Sequence, residues 1–148
     1  MEPYLYFGSL GQHERQFQIA NFVGLALEPA HDREIKHDLT GPLPYADDSI
    51  AKIQAQDVLE HLPFEKVPFV LDEIYRVLKP GGRFGVVNWH PRPREETTIL
   101  GEPRGPQTEL RLSPTTTIAG VEASGLKLAR LIEIPPYHYG AIFAQPFD

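Results

Sequence analysis

An α/β domain with a parallel sheet is the fold the sequence predicts, and three successive stretches predict it. Ile50-Ala51-Lys52-Ile53-Gln54-Ala55 alternates apolar with polar side chains, the period of a strand with one wetter face. From Phe64 to Leu78 the positions Phe64, Val67, Val70, Leu71, Ile74 and Leu78, with Tyr75 alongside, recur at three- and four-residue steps and form one buried helical stripe. Lys79-Pro80-Gly81-Gly82 then stops the helix, since proline cannot continue it and glycine accepts a positive φ, so Arg83 to Trp89 reads as the next strand. Strand, helix, turn, strand is a parallel βαβ unit with a right-handed crossover.

The remaining elements follow in order. Tyr4 to Phe7 is a short apolar strand running into Gly8-Ser9-Leu10-Gly11, and Phe22 to Leu27 is a second, ending at Glu28-Pro29. Glu34 to Leu39 suits a third, after which Thr40 to Ser49 is turn chemistry throughout. Pro63 and Pro68 sit near the start of the long helix, where a missing amide is best tolerated, and Arg76 and Lys79 suit its carboxyl end. Pro91 to Pro114 is rich in proline, glycine and mixed charge and reads as a long loop, in the place of a lid. A helix capped by Ser113 spans Pro114 to Ser124 and closes at Gly125. Leu126 to Ile134 and Tyr139 to Ala144 complete the strands, joined through Pro135-Pro136-Tyr137-His138.

Composition bounds the function. A chain of 148 residues is one domain, 1–148, large enough for a real core. With no cysteine, disulfides, thiolate zinc sites and cysteine nucleophiles are excluded, and a cytoplasmic location is the default. No segment approaches a membrane span or a secretory leader, so the expectation is a soluble protein. A formal charge of -6 argues against a broad nucleic-acid surface and toward small molecules or proteins as partners. His31, Asp32, His37 and Asp38 lie close in sequence, but no helical or hairpin spacing fixes several of them together, so no metal site is read there.

Leu43-Pro44-Tyr45-Ala46-Asp47-Asp48-Ser49, Glu60-His61-Leu62 and Arg76-Val77-Leu78-Lys79-Pro80-Gly81-Gly82 occur in this order. Each is weak alone. Together they resemble small class I S-adenosylmethionine-dependent methyltransferase domains of the type 11-like kind. The resemblance implies a Rossmann-like methyltransferase sheet with an abbreviated N-terminal half, S-adenosylmethionine as cofactor, and a small-molecule acceptor.

It also implies site residues. In the family a glycine turn after the first strand lets backbone approach the cofactor, a role that Gly8 fits and Gly11 supports through a shifted turn. The turn departs from the family pattern: Tyr6, Leu10 and Gln12 stand where an acid and two glycines are expected, so a degenerate turn that no longer holds cofactor is the competing reading. Glu28, after the second strand, is the candidate for the ribose hydroxyls, against a solvated turn carboxylate. Asp38 fits the acid that receives the adenine amino group, with Leu39 the backbone beside it. Gln56 and Asp57 fall at the carboxyl edge of the fourth strand, where open α/β sheets place ligands, although Asp57 also suits a helix cap. His61 and His138 are the candidate general bases, with Tyr137 and Tyr139 flanking the latter; a histidine bonded to its loop and a plain hairpin are the bland accounts.

Two functions follow: a methyltransferase acting on a small molecule, or a non-catalytic domain of the same scaffold serving as a binding or oligomerisation module. The spacing between the first three strands leaves little room for ordinary crossover helices, so the helices should lie mainly on one face. The uncharged first two strands would then leave an apolar patch on the other, hence an expected homodimer or partner subunit.

Overall fold

The computed structural model describes residues 4–7, 22–29 and 33–147. Gly8, Gly11, His31 and Asp32 lie outside them, and with them the candidate glycine turn. Among the described residues the main sheet has seven strands, β1 (Tyr4–Phe7), β2 (Phe22–Ala26), β3 (Glu34–Lys36), β4 (Ile50–Gln56), β5 (Leu78–Trp89), β8 (Lys127–Ile134) and β9 (His138–Ala144), in the order β3-β2-β1-β4-β5-β9-β8. The first five are parallel, and β9 runs antiparallel to both β5 and β8. Helix α1 spans Val67–Val77 and α2 Pro114–Glu122. No helix among the described residues is long and apolar enough to cross a membrane.

Strand register explains the core. Val23, Leu5, Ile53, Phe84 and Phe143 stand opposite one another across five strands, and Leu25, Phe7, Ala55, Val86 and Ala141 form the next row. Both rows point to one face, where Val70, Leu71, Ile74 and Val77 of α1 and Val121 of α2 join the same apolar cluster. The two helices therefore share a face, as right-handed connections require. On the other face Lys52 is exposed and lies 5.8 Å from the Tyr4 ring centroid and 5.7 Å from that of Phe22. Tyr6, Phe22 and Ala26 on that face are buried, contrary to the expected open patch. These side chains offer no surface for a second copy, and the dimer expectation loses that support.

Three local expectations change. The third strand stops at Lys36 because Asp38 folds the chain: its Oδ1 accepts from the Thr40 amide at 2.9 Å and hydroxyl at 2.7 Å, and its carbonyl from the Gly41 amide. Lys79 to Gly82 is more than a helix stop. Between Ile50↔Leu78 and Lys52↔Arg83 the fifth strand takes five steps while the fourth takes two, so this segment bulges within β5, with Gly81 at φ +80° and its amide bonded to Gln145 O. Arg76 lies in the last turn of α1, as expected, and does more than suit the helix end. It bonds both Glu73 oxygens, Asp47 and the carbonyls of Leu43 and Tyr45, clamping the loop before β4 to α1.

The segment from Pro91 to Pro114 is a stitched unit rather than a plain loop. It contains the hairpin β6 (Thr98–Ile99) and β7 (Glu102–Pro103). Arg94 donates to the carbonyls of Pro103 and Gly105, and buried Arg111 to those of Arg104 and Pro106 while its guanidinium lies 5.0 Å from the Trp89 ring centroid. Four successive carbonyls thus find donors on two arginines, which compensates for scarce backbone pairing.

Two outcomes follow. Gly105 has φ +93°, and a Cβ there would lie 2.7 Å from Trp89 Cε2. Gly105→Ala should red-shift the emission of Trp89, the single tryptophan, with the far-ultraviolet circular dichroism retained. Unchanged emission would contradict the packing. Arg76→Ala should cost about 1–2 kcal/mol in urea unfolding at neutral pH. Hydrogen bonding from Arg76 holds the Glu73 carboxyl below its ordinary 4.5, so this contribution is present above that value and lost as pH falls through the lower folded one. The gap between wild type and variant should close in acid.

Candidate functional site

Parallel strands bring Phe7, Ala26, Lys36, Gln56 and Trp89 to one edge of the sheet. The chain steps outward from β1 to β2 and β3, then returns to add β4 and β5 on the other side. Direction reverses between β1 and β4, the place where open sheets of this kind leave a crevice.

Gln56 ends β4 half-buried, and Asp57 follows at φ 55°, a left-handed conformation that aspartate tolerates. Its amide bonds Val87 O at 2.8 Å, carrying the ladder one residue past the strand. Asp57 does not cap the next turn: Val58 holds that position before the short turn Leu59–His61, with no side-chain cap. The Asp57 carboxylate instead faces sideways, with Oδ1 buried, without a hydrogen bond, and 3.7 Å from His138 Nε2. His138 arrives there because β9 runs antiparallel to β5, pairing its first residue with Trp89, whose ring centroid lies 4.2 Å from that of His138.

Glu60 lies deeper, with a side chain 2% exposed. Oε1 has no hydrogen-bond partner and sits 3.8 Å from Nε2 of His61, whose side chain is half exposed. Asn88, with its amide nitrogen turned toward Glu60, donates to Oε2 at 3.3 Å and to Val87 O at 3.0 Å, and its oxygen accepts from the Tyr139 hydroxyl at 3.2 Å. Thr117 Oγ1 of α2 is 2.7 Å from the same hydroxyl. Burial pushes the carboxyls of Asp57 and Glu60 upward; the two histidines oppose the shift at Asp57, and the Asp57 charge adds to it at Glu60.

Glu28 and Asp38 follow β2 and β3 on the other side of the crevice, both exposed. The Thr40 bonds hold the Asp38 carboxyl below its ordinary value, so it stays an ionised acceptor. Leu39 beside it is half-buried against the core. The structure thus joins Asp57, Glu60, His61 and His138 in one cluster and sets Glu28, Asp38 and Leu39 along the same edge. Among the described residues no three His, Asp or Glu side chains gather to hold a metal.

Several participants were not foreseen. His37 Nε2 is buried beside Asp38 without a partner, and Asn88 and Thr117 join Tyr139, already marked beside His138, in the polar link under Glu60. His90 Nε2 meets Glu133 at 2.8 Å. A cavity of about 620 Å³ opens between α1 and α2, walled by Leu59, Leu71, Leu112 and Val121 and reaching Glu60 and Thr117. The position of His37 just before Asp38 was the one available signal; the cavity had none, since its walls come from distant stretches.

Comparison with known proteins agrees with this architecture. Residues 18–86 match the family described as Methyltransferase domain. No curated protein matches the chain. Among solved structures it is similar to a SAM dependent methyltransferase from Aquifex aeolicus, with a TM-score of 0.71 and 17% identity, covering 97% of this chain and 81% of that one. An S-adenosylmethionine dependent methyltransferase from Mesorhizobium loti gives 0.70 and 15%, covering 97% and 90%. SAM-dependent methyltransferases from Methanosarcina mazei give 0.70 and 14%, covering 99% and 93%. At such identities the likeness of structure speaks for the fold alone. The chain has the fold of class I S-adenosylmethionine-dependent methyltransferases, its residues 18–86 are similar to the Methyltransferase domain family, and S-adenosylmethionine is the cofactor these findings support.

Proposed function

We propose that this protein is a cytoplasmic methyltransferase that uses S-adenosylmethionine to methylate a small molecule. The observation that carries the reading is the cluster of Asp57, Glu60, His61 and His138 at the crevice, adjoining an apolar cavity. The chain's own groups fit the cofactor. An adenosine presents hydroxyl and amino donors, and the edge presents carboxylate acceptors: Glu28 for the ribose, Asp38 for the adenine amine with Leu39 beside it, and the unpartnered Asp57 Oδ1 near Gln56. Gly8 and Gly11 complete the proposed set.

Bound there, the cofactor supplies an electrophilic methyl group on a sulfonium. The protein's share is mainly positioning of an acceptor and exclusion of water. His138 is held by Trp89 on one side and Asp57 on the other, so it can accept a proton while the carboxylate steadies its cationic form. His61, at the rim, can pass a proton to solvent.

One observation favours the second reading, a non-catalytic binding module. Tyr6, where the family resemblance expects an acid, is buried at the end of β1 and brings no carboxylate to the crevice. Titration calorimetry with S-adenosylhomocysteine separates the two. Binding is expected, weakened about tenfold by Asp38→Ala and untouched by the exposed Glu65→Ala. No binding by the wild type would leave the module reading in place.

A second outcome concerns pH. Burial holds the Asp57 carboxyl above its ordinary 3.8, so in this window the folded protein binds more protons than the unfolded chain and loses stability as pH rises. Asp57→Asn removes that loss. Its melting temperature should gain on the wild type by a few degrees as pH rises above the ordinary 3.8 of the carboxyl, while its affinity for S-adenosylhomocysteine falls. A variant that melts lower throughout would contradict the burial argument.

A further inference from the structure

Among the described residues, the cavity between α1 and α2 is lined by three ionisable side chains, Glu60, Asp72 and Glu109, all acidic, and by no Lys, Arg or His. Asp72 and Glu109 are exposed, whereas the Glu60 side chain is 2% exposed and its Oε1 has no hydrogen-bond partner. The other carboxylate oxygen is engaged by Asn88, and His61 stands too far from Oε1, at 3.8 Å, to donate to it. A buried carboxylate oxygen lacking a donor is costly, and the residue that carries it lines a space large enough for a small molecule. The walls at Leu59, Leu71, Leu112 and Val121 offer dispersion and apolar burial but no hydrogen bond.

We infer that this cavity binds an amphiphilic amine, with its ammonium headgroup drawn to the carboxylates of Glu60, Asp72 and Glu109 and its hydrocarbon body along Leu71, Leu112 and Val121. A carboxylate or phosphate headgroup would enter against three like charges with no compensating cation. An alcohol supplies one donor but no charge to match the carboxylates. The amine's use as methyl acceptor rests on the function proposed above; its binding does not.

Octylamine, 1-octanol and octanoate share a tail and differ in headgroup, which makes them direct probes by calorimetry on the whole protein. Octylamine is expected to bind about tenfold or more tightly than 1-octanol, with octanoate weakest. Glu60→Gln should weaken octylamine about tenfold and leave 1-octanol unchanged. Asp72→Lys, a surface change that leaves the core untouched, should weaken octylamine and strengthen octanoate. Octanoate binding as tightly as octylamine, or octylamine indifferent to both substitutions, would overturn the inference. S-adenosylhomocysteine titrated into the same preparation keeps the two failures apart. Cofactor product without octylamine binding removes the amine and spares the function; octylamine binding alone supports the amine and removes the function.

Discussion

The crevice exists because five strands bury the same face. Leu5, Ile53 and Phe84, with Phe7, Ala55 and Val86 in the next row, have to meet the α1 stripe together, and a register slip of one residue would turn any of these strands outward. That requirement ties the ends of β1, β4 and β5 to one line. Gln56 and Asp57 reach the edge as a consequence of the core, not of any contact they make themselves. The Arg76 clamp adds to this by holding the loop before β4 against α1, so the strand cannot slide along its neighbour.

The antiparallel pair β8–β9 does a different task. A strand parallel to β5 would present its carboxyl end at the crevice; β9 presents its amino end, and so delivers His138 and Tyr139 from the far end of the chain. Tyr139 then meets Asn88 and Thr117, linking β5, β9 and α2 beneath Glu60. With several polar groups joined this way, loosening one exposes the rest to unpaired burial, which gives the floor of the cavity its definition.

Sequence reading succeeded where the deciding physics is local. The α1 stripe at Val70, Leu71 and Ile74, the Ser113 cap and the strand at Ile50 to Ala55 depend on residues within a few positions of one another and appear in the structure, whereas Phe64, expected in the buried stripe, lies ahead of the helix and is exposed, Tyr75 is exposed, and Leu78 opens β5. It fell short where partners are remote. Lys79 to Gly82 bulges because Gly81 and Gly82 pair with Gln145, more than sixty residues on. The stitched segment after Trp89 depends on Arg94 and Arg111 reaching carbonyls that a sequence does not show. The candidate edge residues were legible as strand ends, but the partnership of Asp57 with His138 and the depth of Glu60 were not.

The carboxylates at this edge fall into two electrostatic kinds. Asp38 is exposed, bonded by Thr40 and held in its charged form, which suits a fixed acceptor. Glu60 is buried and Asp57 half-buried, and both are incompletely bonded and pushed toward the neutral form. A fold selected for stability alone would replace such groups with apolar ones, because a buried charge without full compensation destabilises the native state. Their cost falls where the sheet opens, beside two histidines and a cavity that needs a donor to complete it. Stored instability at a concave site is the expected trace of a group kept for what it binds.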